Sequence, residues 1–174
     1  MKNFIKIFTI TILLTFCQNS FAEQKIVVLD LKYVLNNSKA GKQAQEYLKK
    51  SFNDNQKKFA DIEKSLKKEE AQLLEKKASM TQDEYIKSAE KLRKKVIKYQ
   101  STRRGALDKI ATQRAEAKDK LLKKIDPIIN DYIKNNNVSL VMDKINMLGG
   151  TSDLDITNDI VKILDKELPS LNLK

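Results

Sequence analysis

The chain has 174 residues, of which 34 are Lys or Arg and 23 are Asp or Glu, giving a formal charge of +11, with no His, one Cys and aromatics at 6%. Without His it lacks the commonest general base and the commonest metal ligand, and Gly41, Gly105, Gly149 and Gly150 form no phosphate-cradling GxxxxGK[ST] or GxGxxG run. No catalytic constellation, metal set, cofactor or small-molecule substrate is therefore expected, and the acids lie scattered among lysines.

The first element is a leader. Lys2 and Lys6 precede an apolar run over residues 7–17, and Ser20-Phe21-Ala22 is a small-x-small site, which predicts a secretory signal over 1–22 cut between Ala22 and Glu23. The run, about ten residues, falls short of the roughly 20 that span a bilayer. Cys17 raises lipidation as an alternative, although Phe16 is bulky where a lipobox has a small residue. Cleavage removes the only cysteine, so no disulfide or thiolate chemistry is expected in the exported mature chain.

The remaining residues suffice for one domain, but its charge is uneven. Residues 42–124 hold 24 basic and 13 acidic side chains, whereas the rest of the mature chain holds 8 and 10. So charged a stretch, sparse in aliphatics, can bury only a narrow stripe, which predicts long paired helices.

Next in chain order, Ile26-Val27-Val28-Leu29 is a short strand-type run. A helix is predicted over residues 38–78, because Gln45, Phe52, Phe59, Leu66, Leu73 and Met80 recur every seven residues with Leu48 and Ile62 at the alternate spacing. The companion positions Asn55, Glu69 and Lys76 are polar and weaken the seam. Thr81-Gln82-Asp83-Glu84 is a capping box that opens a second helix. Its apolar steps include Tyr85, Ala89, Leu92, Val96, Tyr99, Ala106, Ile110, Ala117, Leu121, Ile125 and Ile128, interrupted at Arg103, Gln113 and Arg114. Only Ser79 and Met80 separate the helices, so they must double back as an antiparallel hairpin. Pro127 predicts a kink, and Gly105 is either tolerated drift or a flexible point.

Residues 91–105, KLRKKVIKYQSTRRG, have the look of a polyanion-binding run. On a helix, however, Leu92, Val96, Tyr99 and Arg103 share one face and join Phe52, Phe59, Ile62, Leu66 and Leu73 as the hairpin seam, with Arg103 snorkelling outward. Lys91, Arg93, Lys94, Lys95, Lys98 and Arg104 then cover the solvated surface as a basic field suited to attracting an acidic partner.

After Asn135-Asn136-Asn137, a second strand is expected at Val138-Ser139-Leu140-Val141-Met142 and a third over 145–148, closed by Gly149-Gly150. Thr157 is expected to cap a final helix that buries Ile160, Val161, Ile163 and Leu164 and stops before Pro169. The division is thus 1–22 leader, 23–37 first body strand, 38–135 hairpin with its tip near 79–80, and 136–174 body strands and last helix. So small a body has a poor core of its own and wants partners.

Lys25-Ile26-Val27-Val28-Leu29-Asp30, Val138-Ser139-Leu140-Val141-Met142-Asp143 and Leu154-Asp155-Ile156-Thr157-Asn158-Asp159-Ile160, set around a Lys-rich hairpin with Pro127 near its base, resemble the Skp/OmpH family of periplasmic chaperones along the whole mature chain. The resemblance implies a mainly α fold with a small β body, in which a helical coiled-coil tentacle stands on strands that trimerise through a β-barrel-like core. Val27, Val28, Leu29, Leu140, Val141, Met142, Ile156 and Ile160 would then belong to the body and trimer core. It also implies an ATP-independent holdase that keeps unfolded outer-membrane β-barrel proteins from aggregating and delivers them for assembly, and it adds anionic lipid or lipopolysaccharide as a ligand described for some members. Two other classes fit the composition: a structural or adhesive coiled coil of the envelope, and a polybasic nucleic-acid binder, which the leader disfavours because an exported protein rarely meets DNA.

Overall fold

The computed structural model describes residues 24–173, so the leader and its cut after Ala22 lie outside the described residues. The order is β1 (Lys25–Leu29), α1 (Leu31–Asn37), α2 (Lys39–Lys76), a 3-10 turn at Lys77–Ser79, α3 (Gln82–Asn135), β2 (Val138–Asp143), 3-10 turns at Lys144–Asn146 and Ser152–Leu154, and α4 (Thr157–Glu167). The chain is mainly α, a long antiparallel hairpin of α2 and α3 on a small body.

Residues 31–37 are not part of the first strand, as the sequence pattern suggests, but form α1. Asp30 ends β1 and caps this helix, its carboxylate accepting from the Tyr33 amide at 2.7 Å. Two turns of helix are too short to show a period in sequence. Ser38 then separates α1 from α2 in a single extended residue: its amide donates to the Val34 carbonyl at 3.1 Å and its hydroxyl accepts from the Gly41 amide at 3.2 Å. One side chain closes one helix and opens the next.

The capping box at the tip forms as predicted, Thr81 Oγ1 accepting from the Glu84 amide and Glu84 Oε2 from the Thr81 amide at 3.0 Å. The hydrogen bonds from Thr81, that of its backbone first, hold the Glu84 carboxyl below its usual value. At about 1.5 Å per residue, α2 with its 38 residues extends nearly 60 Å. α3 continues for 54 residues through Pro127, which stands at the exposed surface, where water can serve the orphaned Lys123 carbonyl.

β1 and β2 pair in parallel, with Ile26 opposite Leu140, Val27 opposite Val141 and Val28 opposite Met142. The other edge of β1 takes the Ile156 amide on the Val28 carbonyl at 2.9 Å. β1 is therefore covered on both edges, and β2 keeps one edge open. Residues 145–148 do not form the expected third strand. The Asp143 carboxylate accepts from the Ile145 amide at 3.2 Å and turns the chain into a 3-10 turn before a strand can extend. Asn137, at φ 52°, occupies the left-handed region that Asn tolerates and reverses the chain between α3 and β2.

The core of the body joins Val27 and Leu29 of β1, Val34 of α1, Leu121, Ile125 and Ile128 of α3, Val138 of β2, and Ile156, Ile160 and Leu164 at α4. Val28 is equally buried, whereas Val141 and Met142 are half-buried. Leu140 lies outside this core of the single chain: it is 51% exposed beside Ile26, because the pleat turns these two paired residues away from α3. Thr157 does not cap α4. Its hydroxyl instead accepts from the Asp30 amide at 2.9 Å, and its own amide donates to Asp155 at 2.9 Å. An otherwise orphan donor at the end of β1 is satisfied in this way.

Candidate functional site

The arm is held by a thin seam. Apart from Ala40, which belongs to the core of the body, and the half-buried Tyr47, the buried and half-buried positions of α2 run Gly41, Ala44, Leu48, Ser51, Asn55, Phe59, Ile62, Leu66, Glu69 and Leu73. The steps alternate between three and four except at Ser51, Asn55 and Phe59, where two steps of four follow one another. This stutter rotates the seam relative to a regular heptad. Phe52 and Gln45, placed in the seam by strict seven-residue spacing, consequently fall outside it, and Phe52 is 38% exposed. From α3 the seam receives Leu92, Val96 and Tyr99, all half-buried, and below them Ile110, Gln113 and Ala117, which are buried. Arg103 is exposed, as a snorkelling side chain would be.

Phe59 packs edge-on against Tyr99, ring centroids 6.0 Å apart at 69°. Around this pair, Tyr99 donates to Glu63 at 3.3 Å, Lys67 pairs with Glu63 at 2.9 Å, and Lys95 reaches across the hairpin to Glu69 at 2.5 Å. The hydrogen bond from Lys67 is the main cause that holds the Glu63 carboxyl below its usual value, and the same bond raises Lys67. All these pairs are solvent-exposed and contribute little to stability. They do set where charge is left free.

The six cations of the basic run outside the seam do not act as one surface. Lys95 is tied to Glu69. Lys91, Lys94 and Lys98 follow one another at steps of three and four along one side of α3, while Arg93 and Arg104, eleven residues apart and thus about three turns, lie on another side. Two open grooves flank the seam. The lower, about 1330 Å³, lies between α1, α2 and α3 and is lined by Leu35, Leu48, Phe52, Arg114, Lys118 and Leu122 among others. The upper, about 500 Å³, includes Glu63, Leu66, Leu74, Arg93, Val96 and Gln100. The sequence pattern gives no warning of these grooves. The 11- and 10-residue spacings of Ile86, Ile97 and Leu107, which are 45%, 56% and 43% exposed, would have revealed an apolar line beside the seam.

On the body, Ile26 and Leu140, paired in the sheet, and Ile145 and Leu148, in the loop after β2, are exposed, with Leu148 fully so. The loop that carries Ile145 and Leu148 is tied down by Asp155, which accepts from Lys144 at 2.5 Å and from the Thr157 amide. Partial burial pushes the Asp155 carboxyl up, but the hydrogen bonds from Lys144 and Thr157 outweigh it and leave the group below its unfolded value of 3.8. Stability from this group is therefore complete above the unfolded value and is lost as pH falls through the lower folded value. Asp155→Asn should lower the melting temperature at neutral pH and lose that difference in acid; melts of both proteins from pH 7 to pH 2 would check it, and a gap that persists at pH 2 would contradict it.

Among the described residues no group of three or more His, Cys, Asp or Glu side chains is placed to hold a metal ion, and no helix is long and apolar enough to cross a membrane.

Residues 25–164 match the model of the family described as outer membrane protein (OmpH-like). The chain is 23% identical over 166 residues to the Skp-like protein of Pseudomonas aeruginosa, covering 95% of this chain and 99% of that protein. Its fold is similar to the crystal structure of a candidate outer membrane chaperone (OmpH-like) from Caulobacter crescentus, with a TM-score of 0.80 at 18% identity over 87% of this chain and 89% of the other.

Proposed function

The chain belongs to the OmpH-like family, and from that premise we propose that it is an ATP-independent periplasmic holdase that captures unfolded outer-membrane β-barrel proteins and delivers them for assembly. The observation that carries the proposal is the arm itself: a basic hairpin whose seam is thin, with two open grooves and Phe52, Leu74, Ile86, Ile97 and Leu107 left exposed. Strand segments of a barrel present alternating apolar and polar residues. A basic arm attracts acidic segments at long range, and scattered apolar side chains add weak contacts that exchange quickly, so release requires no nucleotide.

Self-association belongs to the same proposal. The open edge of β2 and the exposed Ile26, Leu140, Ile145 and Leu148 support burial against copies of the chain, a homotrimer being the assembly in view. The mass of the purified mature protein tests this part, and a monomer or an open fibre would count against it.

Capture is tested by the aggregation of an unfolded outer-membrane barrel protein diluted from denaturant, with and without the chain. Suppression should be strong at low salt and association roughly tenfold slower near 1 M salt, where the Debye length falls to about 3 Å. Capture that is indifferent to salt would remove the role given to the basic arm.

A further inference from the structure

All four arginines of the chain, Arg93, Arg103, Arg104 and Arg114, lie within α3, and all are exposed. Along that helix Arg93, Ile97, Gln100, Arg104, Leu107, Ala111, Arg114, Lys118 and Leu122 follow one another at steps of three and four, so they form one continuous ridge. Arg93 and Gln100 line the upper groove, and Arg114, Lys118 and Leu122 line the lower one. The ridge therefore runs along the side of the hairpin onto which both grooves open. Ile86 extends it toward the tip, and Arg103 stands beside it, within electrostatic reach of Glu63 at the upper groove. α2 adds Phe52 to the lower groove and Leu74 to the upper one.

A second ridge of α3 has the opposite character. Lys87, Lys91, Lys94, Lys98, Thr102, Gly105, Lys109, Thr112, Glu116 and Lys120 also follow at steps of three and four, include no large apolar side chain, and line neither groove. Every exposed large apolar residue of the two hairpin helices thus lies on the arginine side or in the grooves beside it. The arginines all lie on or beside the first ridge and none on the second, while lysines occur on both sides, Lys32, Lys42, Lys49, Lys67 and Lys118 among them in the grooves.

The difference in type carries chemical content. A guanidinium is weakly hydrated, stacks on aromatic rings and grips a carboxylate through two parallel hydrogen bonds, whereas an ammonium is a strongly hydrated point charge. We propose that the arginine ridge and its two grooves form the docking face for unfolded polypeptide, with aromatic side chains stacking on the arginines, carboxylates pairing with them, and aliphatic side chains seated against Phe52, Leu74, Ile97 and Leu107. The lysine ridge supplies the long-range field and makes no lasting contact. Barrel strands suit this face, since they carry aromatic girdles and alternate apolar with polar residues. The inference rests on the holdase reading and names the surface that reading requires.

The chain has no Trp, so the Trp emission of an unfolded outer-membrane barrel reports its binding without background. R93K/R103K/R104K/R114K preserves net charge at four exposed helical positions, and K91R/K94R/K98R is the matched change on the other ridge; circular dichroism confirms that each keeps its helices. The arginine-to-lysine protein should bind roughly tenfold more weakly, while the lysine-to-arginine protein should match the wild type. Ile97→Ser, a single change at an exposed site, should also weaken binding. Equal binding by the arginine-to-lysine protein, or an equal or greater effect from the lysine ridge, overturns the assignment. So does a change in assembly mass, which would make the face a contact between copies of the chain. A wild-type protein that captures no barrel would overturn the holdase reading and this one with it.

Discussion

Gly41→Ala should unfold the body at a markedly lower temperature, although alanine is the better helix former. A Cβ at this position would stand 2.0 Å from the Leu35 carbonyl oxygen and 2.9 Å from the Ser38 hydroxyl. The first is backbone of α1, and Ser38 is fully buried, so neither can move without opening the junction at which Ser38 caps α2. Alanine gains about 1 kcal/mol of helix propensity, but forcing apart two packed helices costs about 3 kcal/mol or more. The net loss of about 2 kcal/mol or more is, for a chain of this size, a fall of roughly 4–8 °C or more in melting temperature. Gly105→Ala is the control with the opposite sign. Nothing lies within 4 Å of its Cβ position, so only the propensity gain remains and the melting temperature should rise by a few degrees. Circular dichroism melts of the two variants decide the matter; an unchanged melt for Gly41→Ala would mean the α1–α2 junction is not rigid.

Phe59→Ala should loosen the arm and leave the body intact. In α2 Phe59 is the only buried residue beyond Leu48, and in α3 burial begins again only at Ile110. The long stretch from there to the tip is therefore pinned by one aromatic pair, Phe59 against Tyr99, plus half-buried aliphatics and exposed ion pairs. Phe to Ala in a packed site costs about 3–5 kcal/mol, and the lower end applies here because the seam is open on both sides. Amide hydrogen exchange is the appropriate measurement, since it resolves local opening. Protection should fall across residues of α2 and α3 near and above this level and persist at Ile125, Ile160 and Leu164, which are fully buried in the body. A uniform loss throughout the chain would mean that arm and body unfold as one unit.

Periodicity made the hairpin legible from sequence, because a thin coiled-coil seam writes its repeat directly into residue spacing and the capping box at Thr81 marks where the second helix starts. The same periodicity misplaced Phe52, since a stutter at Ser51, Asn55 and Phe59 breaks the seven-residue count without any unusual residue to announce it. Short elements were harder. α1 has 7 residues, and the segment after β2 turned into a 3-10 turn because one Asp143 carboxylate captured the Ile145 amide. Such outcomes depend on single hydrogen bonds, which composition cannot rank. The candidate site divided in the same way: its basic residues and their spacing along α3 were visible at once, but which of its ridges borders the grooves appears only when α3 is set against α2.

Sequence by itself determined the composition-level facts: no His, a basic middle, a hairpin of two long helices and short strands at either end, because these follow from residue identity and local spacing. Tertiary structure alone decided which side of each helix is covered, that Leu140 points outward while Val27 and Leu29 point inward, that Thr157 serves Asp30 rather than its own helix, and that Phe59 bears the burial of the outer arm. Those outcomes depend on contacts between residues far apart in the chain, such as Asp30 with Thr157 and Phe59 with Tyr99, and no local window contains both partners.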